Sequence, residues 1–152
     1  MTSKITAKAG RKLTKGDYTQ LAEFRYLLRR FLDFSENEAA AAGVTAQQHQ
    51  ALLVIKGFAG REHATIGELA ERLGIRHHSA VGLIDRLAAK DLIHRHSGAS
   101  DRRQVLIELT PAAEALLAGL SVAHHDELRR LSPLLRVLLA DFETGSLKNR
   151  RE

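Results

Sequence analysis

The sequence predicts a mainly α-helical chain with a small β-hairpin wing: a winged helix-turn-helix flanked by N- and C-terminal dimerisation helices. Three observations predict it. Two amphipathic segments beginning at Thr65 and just after Gly74 are joined by a tight glycine-containing turn. Two alternating apolar runs follow at once, separated by a loop with two arginines. Longer apolar-striped helices stand before and after this unit, and the stripe of the first needs a partner chain to cover it.

Asp17 is the expected cap of the first helix, with Gln20 three positions on. Leu21, Phe24, Leu28 and Phe31 then recur at helical spacing, and Gly43 supplies a left-handed stop. A second helix starts at Thr45, with Gln48 completing its cap, and carries Leu52, Leu53 and Ile55 before Gly57. Thr65 and Glu68 form the capping box of a third, whose apolar residues are Ile66, Leu69, Ala70 and Leu73. The fourth places Ala80, Leu83, Ile84 and Leu87 on one side.

Leu92 to His96 and Gln104 to Leu109 read as the two strands of a hairpin, with Arg102 and Arg103 near the end of the intervening loop. Thr110-Pro111 opens a further helix, because proline suits the first helical position, and Ser132-Pro133 repeats that device for a last one. The expected organisation is a basic arm over 1–16, a single domain over 17–147 and a polar tail over 148–152. Within the domain, 17–43 and 111–147 are the dimerisation helices and 45–110 the winged helix-turn-helix.

Charge and composition narrow the function. The 152 residues carry a formal charge of +5 and no cysteine, which excludes disulfides, thiolate metal sites and thiol-based sensing. Lys4, Lys8, Arg11, Lys12 and Lys15 hold about the whole excess charge. An arm of this kind can follow a phosphate backbone. No apolar run approaches the roughly 18 residues that a membrane span needs, and no secretory signal is recognised, so a cytoplasmic location is expected. No nucleophile elbow, phosphate loop or paired catalytic carboxylates are recognised, so an enzyme is not expected.

The pattern from residue 65 to 110 resembles the multiple antibiotic resistance regulator (MarR) family. The resemblance rests on Leu69-Ala70 with Leu73-Gly74, on Leu83-Ile84-Asp85-Arg86-Leu87, on Asp91-Leu92-Ile93, on Asp101-Arg102-Arg103 and on Leu109-Thr110. A weaker likeness extends over roughly 17–140. It implies a homodimeric, sequence-specific double-stranded DNA-binding transcriptional regulator, a repressor by expectation, acting on a pseudo-palindromic operator and released by a small-molecule effector.

On that reading the fourth helix enters the major groove. The expected DNA-contacting residues are Arg76, His77, His78, Ser79, Val81 and Gly82 on this helix, and Arg102 and Arg103 on the wing. The helix N-terminus presents free N–H groups to a phosphate, and Val81 suits a thymine methyl. Family members often carry a long basic or polar side chain where Gly82 stands, so one expected base contact is missing. A wing arginine suits the negative potential of a narrow minor groove. Asp101 is expected to support the wing against Arg86. Aromatic carboxylates or phenols are common ligands of the family, and Arg25, Tyr26, Arg29 and His49 are the candidate effector-binding residues.

Two other readings compete. A winged helix can serve as a protein-interaction module without DNA binding, which Gly82 favours and Arg76, Arg102 and Arg103 oppose. A histidine-based metal sensor would need a composite of His49, His94, His96, His124 and His125. No metal-ligand spacing is recognised among these, so neither metal nor cofactor is expected.

Overall fold

The computed structural model describes residues 12–148, and the side chains of residues 12–144. Lys4, Lys8 and Arg11 of the expected arm and residues 149–152 of the expected tail lie outside the described residues. Among the described residues, five helices and three short strands follow in the order α1 (Lys15–Ala41), α2 (Ala46–Lys56), β1 (His63–Ala64), α3 (Ile66–Leu73), α4 (His77–Ala89), β2 (Ile93–Ser97), β3 (Val105–Leu109) and α5 (Pro111–Lys148). The mainly α-helical winged helix-turn-helix is the observed fold.

The caps explain most boundaries. Thr45 and Thr65 open α2 and α3 through capping boxes with Gln48 and Glu68, as the sequence predicts. The cap of α1 differs. Thr14, not Asp17, is the N-cap, and Asp17 occupies the third helical position. The Asp17 carboxylate accepts from the Thr14 N–H at 2.7 Å while the Thr14 hydroxyl accepts from the Asp17 N–H at 3.3 Å. This reciprocal pair satisfies two end groups at once, so the helix begins two residues inside the expected arm.

At the other ends, α1, α3 and α4 close through the same device. The N–H of Val44, Ile75 and Leu92 reaches back to the carbonyl of Ala39, Ala70 and Leu87, each at 3.0 Å. The residue before each is left-handed: Gly43 at φ 83°, Gly74 at φ 64° and Asp91 at φ 56°.

The largest departure is α5. Pro133 does not start a new helix; it sits inside one continuous helix of 38 residues. Proline removes the N–H that would pair with the carbonyl of Arg129. Both residues are exposed, so water can serve that carbonyl and the helix continues. At 1.5 Å per residue α5 is about 57 Å long. It runs antiparallel to α1, with Phe24 edge-on to Phe142 at 6.5 Å and, far along both helices, Phe31 edge-on to His124 at 5.9 Å.

β1 is an element that the sequence reading lacks. Two residues give no detectable period, yet His63 and Ala64 pair with Glu108 and Ile107, making a three-stranded antiparallel sheet in the order β1-β3-β2. On one face of the sheet Ala64, Ile93, Ile107 and Leu109 enter the core with Leu52, Ile55, Leu69, Leu83, Ile84 and Leu87. On the other face stand His63, His94, His96 and Glu108. Ala80, Leu83, Ile84 and Leu87 are all buried, as expected of the inner side of α4.

Candidate nucleic-acid interface

Burying that side of α4 turns the opposite side to solvent. Arg76, His77, His78 and Ser79 are exposed, while Val81 and Gly82 are half-buried beside them. Arg76 is the N-cap and provides no side-chain hydrogen bond to the helix. The N-terminal N–H groups of α4 are therefore not capped from that side chain and carry the positive end of the helix dipole.

Gly82 is not an empty position. A Cβ there would lie 3.3 Å from Nη1 of Arg86, so the Arg86 guanidinium lies along the helix surface one turn back from its own Cα. Helical side chains lean toward the N-terminus, and the missing side chain at i−4 leaves room for this one. A long cation thus reaches the surface at position 82 from position 86.

The neighbouring acid is engaged elsewhere. Asp85 pairs with Arg95 of β2, tying α4 to the root of the wing. Asp101 does not brace against Arg86. Its carboxylate accepts from the backbone N–H of Arg103 at 2.9 Å, its own carbonyl accepts from the Gln104 N–H at 3.1 Å, and Gly98 donates to the Gln104 carbonyl at 2.9 Å. Asp101 supports the wing by shaping its turn, since an Asp side chain is short enough to bond its own backbone two residues on. Arg102 and Arg103 are exposed at that turn.

On the outer face of the sheet, His94 Nε2 and His96 Nε2 lie 3.2 Å and 2.8 Å from the two oxygens of Glu108. The closer approach is off the line of a well-formed hydrogen bond. The Glu108 contact first, and the Ser97 carbonyl second, raise His96 above the ordinary imidazole value. Burial alone would raise Glu108, but His96 and His94 outweigh it and hold its carboxyl below the usual range.

The expected effector residues divide. Arg25, Tyr26 and Arg29, with Leu28 and Leu32, line an open groove of about 450 Å³ on α1. His49 lies apart, buried and 4.8 Å from the ring of His124. The five histidines of the conceivable composite metal site do not gather either. His94 and His96 stand on the wing sheet, His49 and His124 between helices, and His125 is exposed.

Sequence reasoning misses Arg95 and the reach of Arg86. The signal for the second was present in the i, i+4 spacing of a glycine and an arginine. Arg95 gave none, because its partner is ten residues away in another element.

The architecture is that of a winged helix between two long helices. Residues 42–104 match the model of the MarR family. A curated relative, the HTH-type transcriptional regulator YfiV of Bacillus subtilis, is 33% identical over 70 residues, which are 46% of this chain and 44% of the relative. The match thus spans less than half of that relative's length. AbsC of Streptomyces coelicolor, a MarR family transcriptional regulator, superposes with a TM-score of 0.66 at 20% identity, covering 90% of this chain and 99% of that one. BpsR of Bordetella bronchiseptica, whose DNA binding is regulated by 6-hydroxynicotinic acid, superposes at 0.59 with 20% identity, covering 90% and 97%. The winged-helix segment is thus similar to the MarR family, and the described chain has the fold of solved members of that family. No helix among the described residues is long and apolar enough to cross a membrane.

Proposed function

We propose that the protein is a sequence-specific double-stranded DNA-binding transcriptional repressor that acts as a homodimer. The observation that carries this reading is the joint exposure of the α4 N-terminus, the Arg86 guanidinium over Gly82, and Arg102 and Arg103 on a turn tied together by Asp101. Arg76, His77, His78, Ser79 and Val81 contact the major groove with α4. Gly82 is a passage for Arg86, which makes the contact that a longer side chain at 82 would make. Arg102 and Arg103 reach the flanking minor groove.

Dimerisation follows from exposed apolar surface. Tyr26, Leu134 and Val137 are 56%, 54% and 68% exposed along the α1–α5 pair. With Leu27 and Leu138 they line an open groove of about 350 Å³. Apolar surface on this scale marks an interface. The groove of Arg25, Tyr26 and Arg29 offers two cations and a phenol to an acidic aromatic effector, which BpsR's response to 6-hydroxynicotinic acid supports as a ligand class.

The test is binding to a fragment from the region upstream of its own gene, titrated with salt and competitor DNA. Tight, salt-sensitive, competitor-resistant binding is expected. A folded dimer that fails to bind at low salt would instead be the protein-interaction module, and the repressor reading would fall.

A further inference from the structure

Between the α1–α5 pair and the winged helix lies a buried pair of imidazoles that DNA reading does not use. His49, on α2, is 3% exposed, and its Nδ1 is buried without a hydrogen-bond partner. Its ring lies 4.8 Å from that of His124 on α5. His124 is fixed on both sides: Nδ1 donates to the Leu120 carbonyl at 2.6 Å, and Nε2 shares a hydrogen bond with the Ser35 hydroxyl of α1 at 2.8 Å. Phe31 and Phe34 pack edge-on against the same ring at 5.9 Å and 5.4 Å. Three helices thus meet on two imidazole rings beside Phe31 and Phe34.

We propose that the His49–His124 pair is a proton-operated latch, which holds α2 against α1 and α5 while both rings are neutral and releases it when one is protonated. Two features carry this. A charge here must be stripped of water. A charge on one ring also opposes a charge on the other at this separation.

The surrounding charges offer no relief. From α1, Asp33 and Glu36 are exposed and Glu38 stands one turn beyond Ser35. From α5, Glu127 is buried one turn beyond His124, but its carboxylate is 3.1 Å from Arg130. On α2 itself Lys56 is held by Glu62 and Glu114, and Lys90, at the C-cap of α4, donates to Gln48, next to His49. Among the described residues no carboxylate is paired with either ring.

Burial first, and His124 second, push His49 below its ordinary value of 6.5. An opened His49 takes up a proton below pH 6.5 that the closed one refuses. The closed state is therefore fully favoured above 6.5. It loses up to about tenfold per pH unit as pH falls from there to the lowered value, and no more beyond it. If the protein reads DNA as proposed, opening α2 shifts the heads relative to the dimer helices, and affinity falls over the same interval.

The latch is tested first without DNA. Amide exchange of α2 and imidazole NMR would be followed from pH 7.5 to 5.5 in the wild type and in His49→Leu, which keeps the site filled and uncharged. Expected are rising α2 exchange in the wild type, a flat profile in His49→Leu, and a His49 ring that resists protonation below its ordinary value. An unchanged profile in His49→Leu, or a His49 ring that protonates like a free imidazole while α2 stays closed, overturns the latch. Should His49→Leu fail to fold, the wild-type ring titration and exchange decide alone. DNA affinity on the same samples is the second arm, and the exposed His77 and His78 are common to both proteins. A latch that responds in a protein without DNA affinity at any pH upholds the latch and defeats the DNA-reading proposal.

Discussion

On the proposed function, Gly82 stands where α4 would carry a long side chain into the groove, and the Arg86 guanidinium, one turn on, lies beside that place. The substitution Arg86→Ala separates what this cation does. If its guanidinium makes a bidentate contact with a base, loss costs about 1–3 kcal/mol on the operator and much less on competitor DNA. Equal losses on both sequences would show a phosphate contact and refute a base-reading role. On the wing, Arg103→Ala is expected to weaken binding and to lower the salt slope by about one unit per half-site. An unaltered slope in a salt titration would mean that the wing touches neither phosphate nor groove. The outward set on α4 was legible because Ala80, Leu83, Ile84 and Leu87 fix the buried side, and a helix with one known side has only one other. Asp101 was legible as a wing support but not in its partner. A pairing with Arg86 required a tertiary distance, whereas the bond to the Arg103 N–H needed only the local turn.

The elements themselves were legible where a cap or a stop marks them, and less so where the chain breaks a local rule. Thr45, Thr65, Gly43 and Gly74 act as the sequence predicts. Pro133 misleads, because its starting preference at a first turn and its tolerance on an exposed helix face look alike in one sequence. β1 was invisible because its two residues owe their strand geometry to β3 rather than to a pattern of their own. Asp91 is the informative case. It takes the left-handed position at the end of α4, as Gly43 and Gly74 do at the ends of α1 and α3. Its carbonyl accepts from the Thr110 hydroxyl at 2.7 Å, which joins the end of α4 to the start of α5. An Asp backbone at φ 56° is less comfortable than glycine, while glycine gives the unfolded chain more freedom. The first effect is expected to win by about 0.5 kcal/mol in Asp91→Gly, a rise in Tm of about 1–2 °C at equal protein concentration. DNA affinity should stay the same, since the change lies behind the reading face. A lower Tm would show that the Asp side chain itself stabilises this corner.

At the scale of the whole molecule, the two long helices and the small head have different requirements. The head closes its own core through Leu52, Ile55, Leu69, Leu83, Ile84, Leu87 and Ile107. The α1–α5 pair does not, and leaves Leu21, Leu28, Leu32, Val122, Leu128 and Leu139 exposed besides the groove of Tyr26, Leu134 and Val137. A stable interface buries about 800 Å² on each partner, and two helices of about 40 Å and 57 Å supply that length of surface. The double variant Leu134→Glu, Val137→Glu places two carboxylates in the groove, beside Glu23 and Asp141 that already line it. In a dimer those charges meet their own copies across the two-fold axis, and like charges at close range in a drying interface oppose association. Light scattering is expected to give a dimer for the wild type and a monomer for the variant, with the head still folded by circular dichroism. Operator affinity should fall by about 10²–10⁴, because the second half-site is no longer bound as an intramolecular event. A variant that stays dimeric would place the interface elsewhere on the two helices. A wild type that is monomeric while binding its operator tightly would remove the dimer from the mechanism and leave one head with its wing as the whole reader.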